Sequence, residues 1–256
     1  LKVTDGDRAI GIAPLMISNR LFFGLPVRVA CFMGTVISDR MDFILTGAKK
    51  ECIFAILNYI MKNSSRWDYV DLEEMPDTTG NFCILRECVE ELNFSSISGA
   101  DGKSFCISFG NMNKEDFFRM FSKNIQRRLK KASHKFNRCT DSEFEFKRFM
   151  NTNGSGMSLD NLISEMERIE KMSWKGKVCA GIFSNKNTKL FHEEIVKNYF
   201  KKGFIEISFL SIRDKNIAYQ YNYFYNSRIY NYNNAYDTIY SSFSPGFVIM
   251  ARFLDN

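Results

Sequence analysis

The chain lacks any long hydrophobic run and has few residues that bind metals. Its longest apolar stretch without a charged residue covers only residues 9–17, well short of the roughly 20 residues that a membrane-spanning helix needs. There are two histidines, His134 and His192, and no Cys-x-x-Cys pair. These absences argue against a transmembrane protein and against a metal site.

The seven cysteines are scattered along the chain and odd in number, which predicts buried, reduced thiols rather than a disulfide framework. We therefore expect a cytoplasmic protein. Hydrophobic residues make up 45% of the chain and charged residues 25%, which excludes disorder over most of its length. Because the first residue is Leu1 rather than Met, we expect that the true start is missing.

Length and charge leave the number of domains and the partner open. The 256 residues are enough for one large domain or for two of ordinary size. The 25 Phe and 11 Tyr residues supply a substantial apolar core. A net charge of +6 permits an anionic partner but does not require one.

Segments typical of strands and helices alternate through the first part of the chain. A hairpin is predicted within residues 1–20, with its turn at Asp5-Gly6-Asp7. Apolar residues spaced three and four apart predict a helix at about residues 49–61. The other expected elements are strands at 27–37, 67–72 and 105–109 and a helix at 82–92. Strands interleaved with helices indicate an α/β or α+β fold.

A strongly basic helix is expected after these elements, starting at Asn113. Between Phe117 and Thr140 the chain has eight Lys or Arg and no acidic residue. Its apolar residues recur every three or four positions and form one stripe, namely Phe118, Phe121, Ile125, Leu129, Ala132 and Phe136. The favoured interpretation is a solvated amphipathic helix that bridges two modules. The alternative is a surface that collects anions such as a phosphate, a charged glycan or RNA.

The last part of the chain is expected to run in the order helix, helix, three strands, helix. After a loop at 151–156, Ser158 is expected to cap a helix that ends near Met172. Another helix is expected at 189–202, and the final helix at 244–254. The hairpin-linked strands between them are expected at 204–212, 217–225 and 228–235.

The start of the final helix, Ser244-Pro245-Gly246, is the most informative stretch of the chain. Ser244 can cap the helix, and Pro245 suits its first position, where a missing N–H costs nothing. Gly246 keeps the first turn bare, so that a ligand can approach the backbone. A helix N-terminus of this kind suits a phosphate or pyrophosphate. The alternative is an ordinary helix start with no ligand.

Seven stretches along the chain share a pattern when they are read in order: Gly11-Ile12-Ala13-Pro14-Leu15, Trp67-Asp68-Tyr69-Val70-Asp71-Leu72, Ser122-Lys123-Asn124-Ile125-Gln126-Arg127-Arg128-Leu129-Lys130-Lys131, Trp174-Lys175-Gly176, Phe191-His192, Ile217-Ala218 and Ser244-Pro245-Gly246. In this order they resemble the GNAT superfamily of acyltransferases. The closer likeness is to the CelD-like subfamily, which is associated with polysaccharide biosynthesis, and Fem-type peptidyltransferases are more distant.

The resemblance implies tandem GNAT-like modules. Residues 1–110 would form the first module, which is usually the degenerate one, and residues 111–256 would form the second, which holds the acyl donor. The expected class is α/β (α+β), with mixed, mostly antiparallel central sheets flanked by helices. A GNAT module normally continues into two more strands after the donor-site helix. The second module is therefore expected to be truncated at its end.

The resemblance also implies the chemistry. The protein would transfer an acyl group from acyl-CoA to an amine or hydroxyl of a sugar or small metabolite, by direct attack and without a metal. Backbone amides of Gly246, Phe247 and Val248 would hold the pyrophosphate, in the turn that Ser244 and Pro245 begin. A nucleic acid is not an expected partner, because the chain carries no recognised nucleic-acid-binding module.

There are three candidates for proton transfer, each with a structural alternative: Asp237, a tyrosine that is either Tyr236 or Tyr240, and His192. Asp237, near the expected position of the thioester, can act as a base or orient a water, or it can cap a backbone amide. Tyr236 or Tyr240 can protonate the thiolate, or simply pack. His192 can titrate near neutral pH and act as a base, or lie on a helix surface without a catalytic role. Trp174 is expected to pack in the core.

Two other functions stay open. A Fem-type enzyme would transfer an aminoacyl group from tRNA, and the basic helix would then contact RNA. A degenerate GNAT scaffold would serve as a non-catalytic accessory protein of polysaccharide biosynthesis.

Overall fold

The computed structural model describes residues 1–34, 37–100, 102–104, 106, 108, 114–138, 144–150 and 157–255. The chain divides into two compact units, Leu1–Cys106 and Ile107–Asn256.

The first unit contains two three-stranded sheets and helices that cover them. Its strands are β1 Lys2–Asp5, β2 Arg8–Ile12, β3 Leu15–Phe22, β4 Leu25–Phe32, β5 Ile44–Leu45 and β6 Tyr69–Asp71, and its α-helices are α1 Lys49–Lys62 and α2 Asn81–Glu91. One sheet has the antiparallel order β1-β2-β5. The other has the order β3-β4-β6, in which β6 runs parallel to β4.

The core of the first unit forms around the apolar face of α1. Its buried residues on that face are Ile53, Ile56, Leu57 and Ile60, and they belong to one cluster with Phe32, Phe43, Leu85 and Cys88. The predicted first hairpin and the helices predicted at 49–61 and 82–92 are confirmed. Residues 105, 107 and 109 of the strand predicted at 105–109 lie outside the described residues.

The second unit is one antiparallel sheet with helices on both faces. Its α-helices are α3 Lys114–Arg119, α4 Lys123–Arg138, α5 Leu159–Met172, α6 Trp174–Lys177, α7 Lys186–Tyr199 and α8 Pro245–Asp255, and its strands are β7 Phe144–Met150, β8 Ile205–Ile212, β9 Lys215–Tyr225 and β10 Arg228–Tyr236. The strand order is β10-β9-β8-β7.

Two tight turns connect the three predicted hairpin strands, although β9 begins at Lys215, two residues before its predicted start. Arg213 and Asp214 have φ values of 47° and 63°, and Asn226 and Ser227 have 49° and 57°. Positive φ at both central residues is the mark of a type I′ turn, whose twist matches that of a hairpin.

Alternating side chains of the sheet build two separate cores. Phe209 and Tyr219 point towards α5 and α7, where they join Leu162, Met166, Ile169 and Val196. Leu210 and Ala218, their neighbours in sequence, therefore point to the opposite face. There they join Val248 and Ile249 of α8.

Two helix predictions met different outcomes. Ser158 caps α5 as expected, because its Oγ accepts a hydrogen bond from the Asn161 N–H at 3.2 Å. The long basic helix, by contrast, is two helices. Ser122 starts a new one by accepting hydrogen bonds on its hydroxyl and carbonyl oxygens from Ile125 and Gln126. Asn113 and the loop at 151–156 lie outside the described residues.

The described cysteines are all free, as the sequence predicts, but only some of them are buried. Cys31, Cys52 and Cys88 are buried, whereas Cys83, Cys106 and Cys179 are exposed. The exposed thiols correct the expectation that the cysteines are generally buried.

Candidate functional site

The chain passes from the edge strand β10 to helix α8 through a short, ordered connection. β10 ends at Tyr236, and Asp237 begins a 3-10 helix, Thr238–Phe243. Ser244 then has φ 52° and ψ 53°, and α8 begins at Pro245. The sequence predicted a strand followed by a helix here, but it did not predict the 3-10 helix between them.

Asp237 is fully buried in this connection. Its Oδ1 accepts a hydrogen bond from the Ile239 N–H at 3.1 Å, so that it caps the 3-10 helix. Its Oδ2 has no hydrogen-bond partner among the described residues and lies 3.7 Å from the Lys215 ammonium. The capping alternative is therefore present in the structure, and a role as base stays a prediction.

Ser244 precedes the helix but does not cap it in the usual way. Its left-handed backbone differs from the extended conformation of a typical N-cap. Its carbonyl oxygen, rather than its hydroxyl, receives the first helix amides, from Phe247 at 2.9 Å and Val248 at 3.2 Å. Two of the three amides predicted to hold phosphate thus already have an acceptor.

The space at Gly246 is open to a ligand. A Cβ built at this position would meet nothing nearer than the Tyr236 ring, at 3.9 Å. The Tyr236 side chain therefore lies beside the first turn of α8. Gly246 is exposed, so its backbone can be reached from the solvent.

A cation from the basic helix lies at the same turn. The Arg128 guanidinium of α4 is 4.3 Å from the centre of the Phe247 ring. Leu129 is buried, while Arg127, Arg128, Lys130 and Lys131 are exposed. The positive end of the α8 dipole and the Arg128 charge thus occur together, an arrangement that favours an anion.

His192 lies on the other face of the sheet. It is 1% exposed, its Nε2 lies 3.2 Å from the Tyr232 hydroxyl, and its Nδ1 has no partner among the described residues. Burial lowers the pKa of His192 to about 4. It is therefore neutral at physiological pH, and the expectations that it titrates near neutrality or lies on the helix surface are wrong.

The three predicted catalytic residues are consequently not gathered at one point. Tyr236 packs with Val248 and Ile249 of α8, and Asp237 follows it directly. His192 contacts Tyr221 and Tyr232 on the α5 and α7 side. Trp174, expected in the core, is 56% exposed, because it opens the short helix α6 at the corner after α5.

The family model described as "Acetyltransferase (GNAT) domain" matches residues 121–256, which are more than half of the chain. The chain belongs to the GNAT acetyltransferase family. The matched part of the chain contains the whole sheet of the second unit, α8 and the turn at Gly246. The CelD-like subfamily stays a prediction.

A solved structure supports the GNAT fold. The structure titled "Crystal structure of FemX" has a TM-score of 0.58 and 10% sequence identity, and it covers 99% of this chain and 74% of the FemX chain. At this identity the likeness shows the fold alone. No curated protein matches the sequence.

The GNAT domain also contains a polar network that sequence reasoning missed. It joins Glu170, Lys175, Tyr219 and Asn233, which come from α5, α6, β9 and β10. Lys175 stood within a stretch that resembles the family, but nothing in the sequence paired it with a strand residue 58 positions away.

Beneath α8 the GNAT sheet carries two rows of aligned side chains that are mostly polar. One row runs Arg148, Ser208, Gln220, Asn234, and the next runs Met150, Glu206, Asn222, Asn231. Gln220 Oε1 and Asn222 Nδ2 are buried without a partner among the described residues. Arg148 pairs with the buried Glu206 at 2.6 Å.

Two classes of feature are missing from the described part of the GNAT chain. No group of three or more His, Cys, Asp or Glu side chains in it could hold a metal ion. None of its helices combines the length and the apolar character needed to cross a membrane.

Proposed function

We propose that this protein is an acyl-CoA-dependent N- or O-acyltransferase. The single observation that supports this best is the turn at Gly246. There an open helix start, the Tyr236 ring and the Arg128 guanidinium lie together within a domain of the acetyltransferase family. The exposed backbone of a helix start and a nearby guanidinium each favour the binding of a phosphate.

In this proposal the donor is held mainly by the turn and by α4. Because Phe247 and Val248 already donate to the Ser244 carbonyl, we assign the first phosphate contacts to Gly246 and to Arg128. The amides of Phe247 and Val248 add their partial positive charge through the helix dipole. Ser244 and Pro245 shape the turn.

The reaction would be direct attack on the thioester. The acceptor nitrogen or oxygen forms a bond to the acyl carbon, the carbon–sulfur bond breaks, and the CoA thiolate takes up the proton that the acceptor loses. Among the three candidates for proton transfer, Tyr236 lies nearest Gly246, which suits protonation of the thiolate. Asp237, directly after it, is proposed as the base.

The acceptor we propose is an amine or hydroxyl of a sugar or small metabolite, within polysaccharide biosynthesis. This assignment rests on the resemblance to the CelD-like subfamily. We further propose a cytoplasmic location, which the free described cysteines favour.

Calorimetric titration with acetyl-CoA and with longer acyl-CoA tests the donor site. We expect saturable binding by the wild type, and at least about a tenfold loss of affinity for Gly246→Asp, a cost of about 1.4 kcal/mol. The variant places a carboxylate against the pyrophosphate. Gly246→Asn is the matched control, since it adds the same volume without charge in a space that is open.

Two results would contradict this proposal. If no acyl-CoA gives binding heat or a thermal shift, acyl-CoA is not the donor. Equal affinity of Gly246→Asp and Gly246→Asn would move the site away from this turn.

A Fem-type aminoacyl transferase is the second candidate, favoured by the fold shared with FemX over nearly the whole chain. The exposed Arg127, Arg128, Lys130 and Lys131 would then bind aminoacyl-tRNA. This candidate predicts tRNA binding that weakens steeply as salt rises. If tRNA still binds after all four residues are changed to Ser, this helix does not contact the RNA.

A non-catalytic accessory protein is the third candidate. It predicts that side chains fill the donor groove and that no acyl-CoA binds, although the protein stays folded.

A further inference from the structure

Glu170 is a buried carboxylate held by neutral donors. It is 2% exposed. Its Oε2 accepts hydrogen bonds from the Tyr219 hydroxyl and the Asn233 amide, both at 2.9 Å, and its Oε1 accepts one from the Phe183 N–H at 2.8 Å. Tyr219 and Asn233 also contact each other at 3.0 Å. Because every partner donates, the arrangement fits the ionised carboxylate.

The chain closes tightly over this carboxylate. A Cβ at Gly181 would lie 2.1 Å from Glu170 Oε1, so only glycine allows the loop before Phe183 to approach this closely. No cation among the described residues forms a salt bridge with Glu170. One compensating charge is linked to it through Asn233.

That charge belongs to Lys175. Its ammonium donates a hydrogen bond to the Asn233 Oδ1, while the Asn233 Nδ2 donates to Glu170. The Asn233 amide therefore bridges a carboxylate and an ammonium, which fixes its orientation. Burial lowers the pKa of Lys175 from its usual range, and the Glu170 charge opposes that effect.

The Lys175 ammonium is held in place, but two of its hydrogen-bond donors have no acceptor among the described residues. An ammonium has three donors, and the described residues supply it with one acceptor, the Asn233 carbonyl oxygen. The backbone of α6 is itself anchored, because the Lys175 N–H donates to the Ser173 Oγ at 3.1 Å. Two donors on a fixed, partly desolvated cation are left for a ligand oxygen.

Two observations associate Lys175 with the strand that leads to the donor turn. The register of β10 against β9 shifts between Asn231 and Asn233, and bulges of this kind often re-aim side chains beside active sites. In addition, the Thr238 hydroxyl donates to the Met172 carbonyl at 3.1 Å. The corner that carries Lys175 is thereby tied to the connection that runs to Gly246.

We propose that Lys175 binds the oxyanion formed during acyl transfer, an inference that rests on the acyltransferase function proposed above. When the acceptor attacks, the carbonyl π electrons move onto the thioester oxygen, and the Lys175 N–H donates a hydrogen bond to that oxygen. The electrons then return, the carbonyl reforms, and the CoA thiolate leaves with the acceptor's proton. Asn233 and Glu170 are positioning residues, since they act through Lys175.

A preorganised donor of this kind acts on the rate rather than on donor binding. The test measures acetyl-CoA affinity by calorimetry and, separately, release of CoA thiol with hydroxylamine as the acceptor. For Lys175→Met we expect an unchanged affinity and a kcat lower by about 10²–10³-fold. Lys175→Arg, which keeps the charge, is expected to recover part of the rate.

Two further variants keep the test decisive. Lys177→Met, on the same short helix and exposed, is the matched control and should leave the rate unchanged. If Lys175→Met is unstable because Asn233 loses its partner, Lys175→Gln retains a donor for Asn233 without the charge. It should show the same loss of kcat.

The outcomes separate this inference from the proposed function. A wild type that does not bind acetyl-CoA removes both. If acetyl-CoA binds normally and the kcat of Lys175→Met is within about threefold of the wild type, only the role of Lys175 is contradicted, because the loss of an oxyanion donor lowers kcat by more than that. A loss that appears entirely in acetyl-CoA affinity also contradicts only that role. Binding without any release of CoA thiol by the wild type also contradicts it and favours the accessory role.

Discussion

The two faces of the second-unit sheet bury a carboxylate by different means. Under α8, Glu206 pairs directly with Arg148 at 2.6 Å and also accepts from the Ser208 hydroxyl at 2.9 Å. Under α5, Glu170 accepts from neutral groups, and its cation, Lys175, stands one amide away. In a direct pair the cation donates its hydrogen bonds to the carboxylate. Where neutral groups bind the carboxylate, the cation keeps donors that can bind another group.

The two cations also differ in how many partners they have. Arg148 also lies over the Phe253 ring, with its guanidinium 5.1 Å from the ring centre, so both its charge and its flat surface are occupied. Lys175 has neither kind of second partner among the residues described. On the α8 face, Arg148 is therefore engaged by both Glu206 and Phe253. On the α5 face, the Lys175 ammonium has one acceptor among the described residues.

Breaking the direct pair should have the largest effect on stability. Arg148→Met leaves Glu206 buried without a cation, and we expect a loss of about 3–4 kcal/mol in the free energy of unfolding. Urea denaturation measures it. Lys147→Met, which breaks the exposed pair with Glu145, is the control and should cost less than about 1 kcal/mol. Equal costs would show that the Glu206 pair is not desolvated.

The α5 and α7 face also buries a titratable group in its neutral form, which makes stability depend on pH. The unfolded chain protonates His192 near pH 6.5, but the folded chain does so only near pH 4. Stability is therefore full above about pH 6.5 and falls as the pH approaches 4, by about 3 kcal/mol from this residue.

Denaturation curves from pH 7.5 to 4 test this dependence. His192→Gln should flatten the curve by that amount. His134→Gln, the same change at the exposed histidine of α4, should not. If both variants follow the wild-type curve, His192 does not contribute to the acid sensitivity.

Removing the charge at Glu170 should have a smaller effect than removing Arg148. Glu170→Gln still accepts from Phe183, but it turns an NH₂ group towards the NH₂ of Asn233, and we expect a loss of about 1–2 kcal/mol. Glu167→Gln, on the same helix but partly exposed, is the control in the same urea experiment. A loss as large as that of Arg148→Met would mean that Glu170 relies on Lys175 as a direct ion pair does.

The sequence predicted those parts of the fold that local chemistry determines. The hairpin linkage of the last three strands, the cap at Ser158 and the helix start at Pro245 are each set by a few neighbouring residues. Ser122, by contrast, can sit inside an amphipathic helix or start a new one, and the apolar periodicity does not distinguish these cases.

The site depended more on tertiary structure. His192 was interpreted as a titrating base or a residue on a helix surface, and only the packing of α7 on Tyr221 and Tyr232 buries it. Glu170 and Asn233 are 63 positions apart, so no local pattern links them. A signal did exist: Gly181 follows Glu170 in a loop where only a residue without a side chain fits.

The most direct test of the account is a crystal structure of the protein with acetyl-CoA. We expect the pyrophosphate at Gly246 within reach of Arg128, and the thioester carbonyl oxygen within hydrogen-bond distance of Lys175. Density for the pyrophosphate away from Gly246, or a thioester carbonyl oxygen out of reach of Lys175, would contradict it.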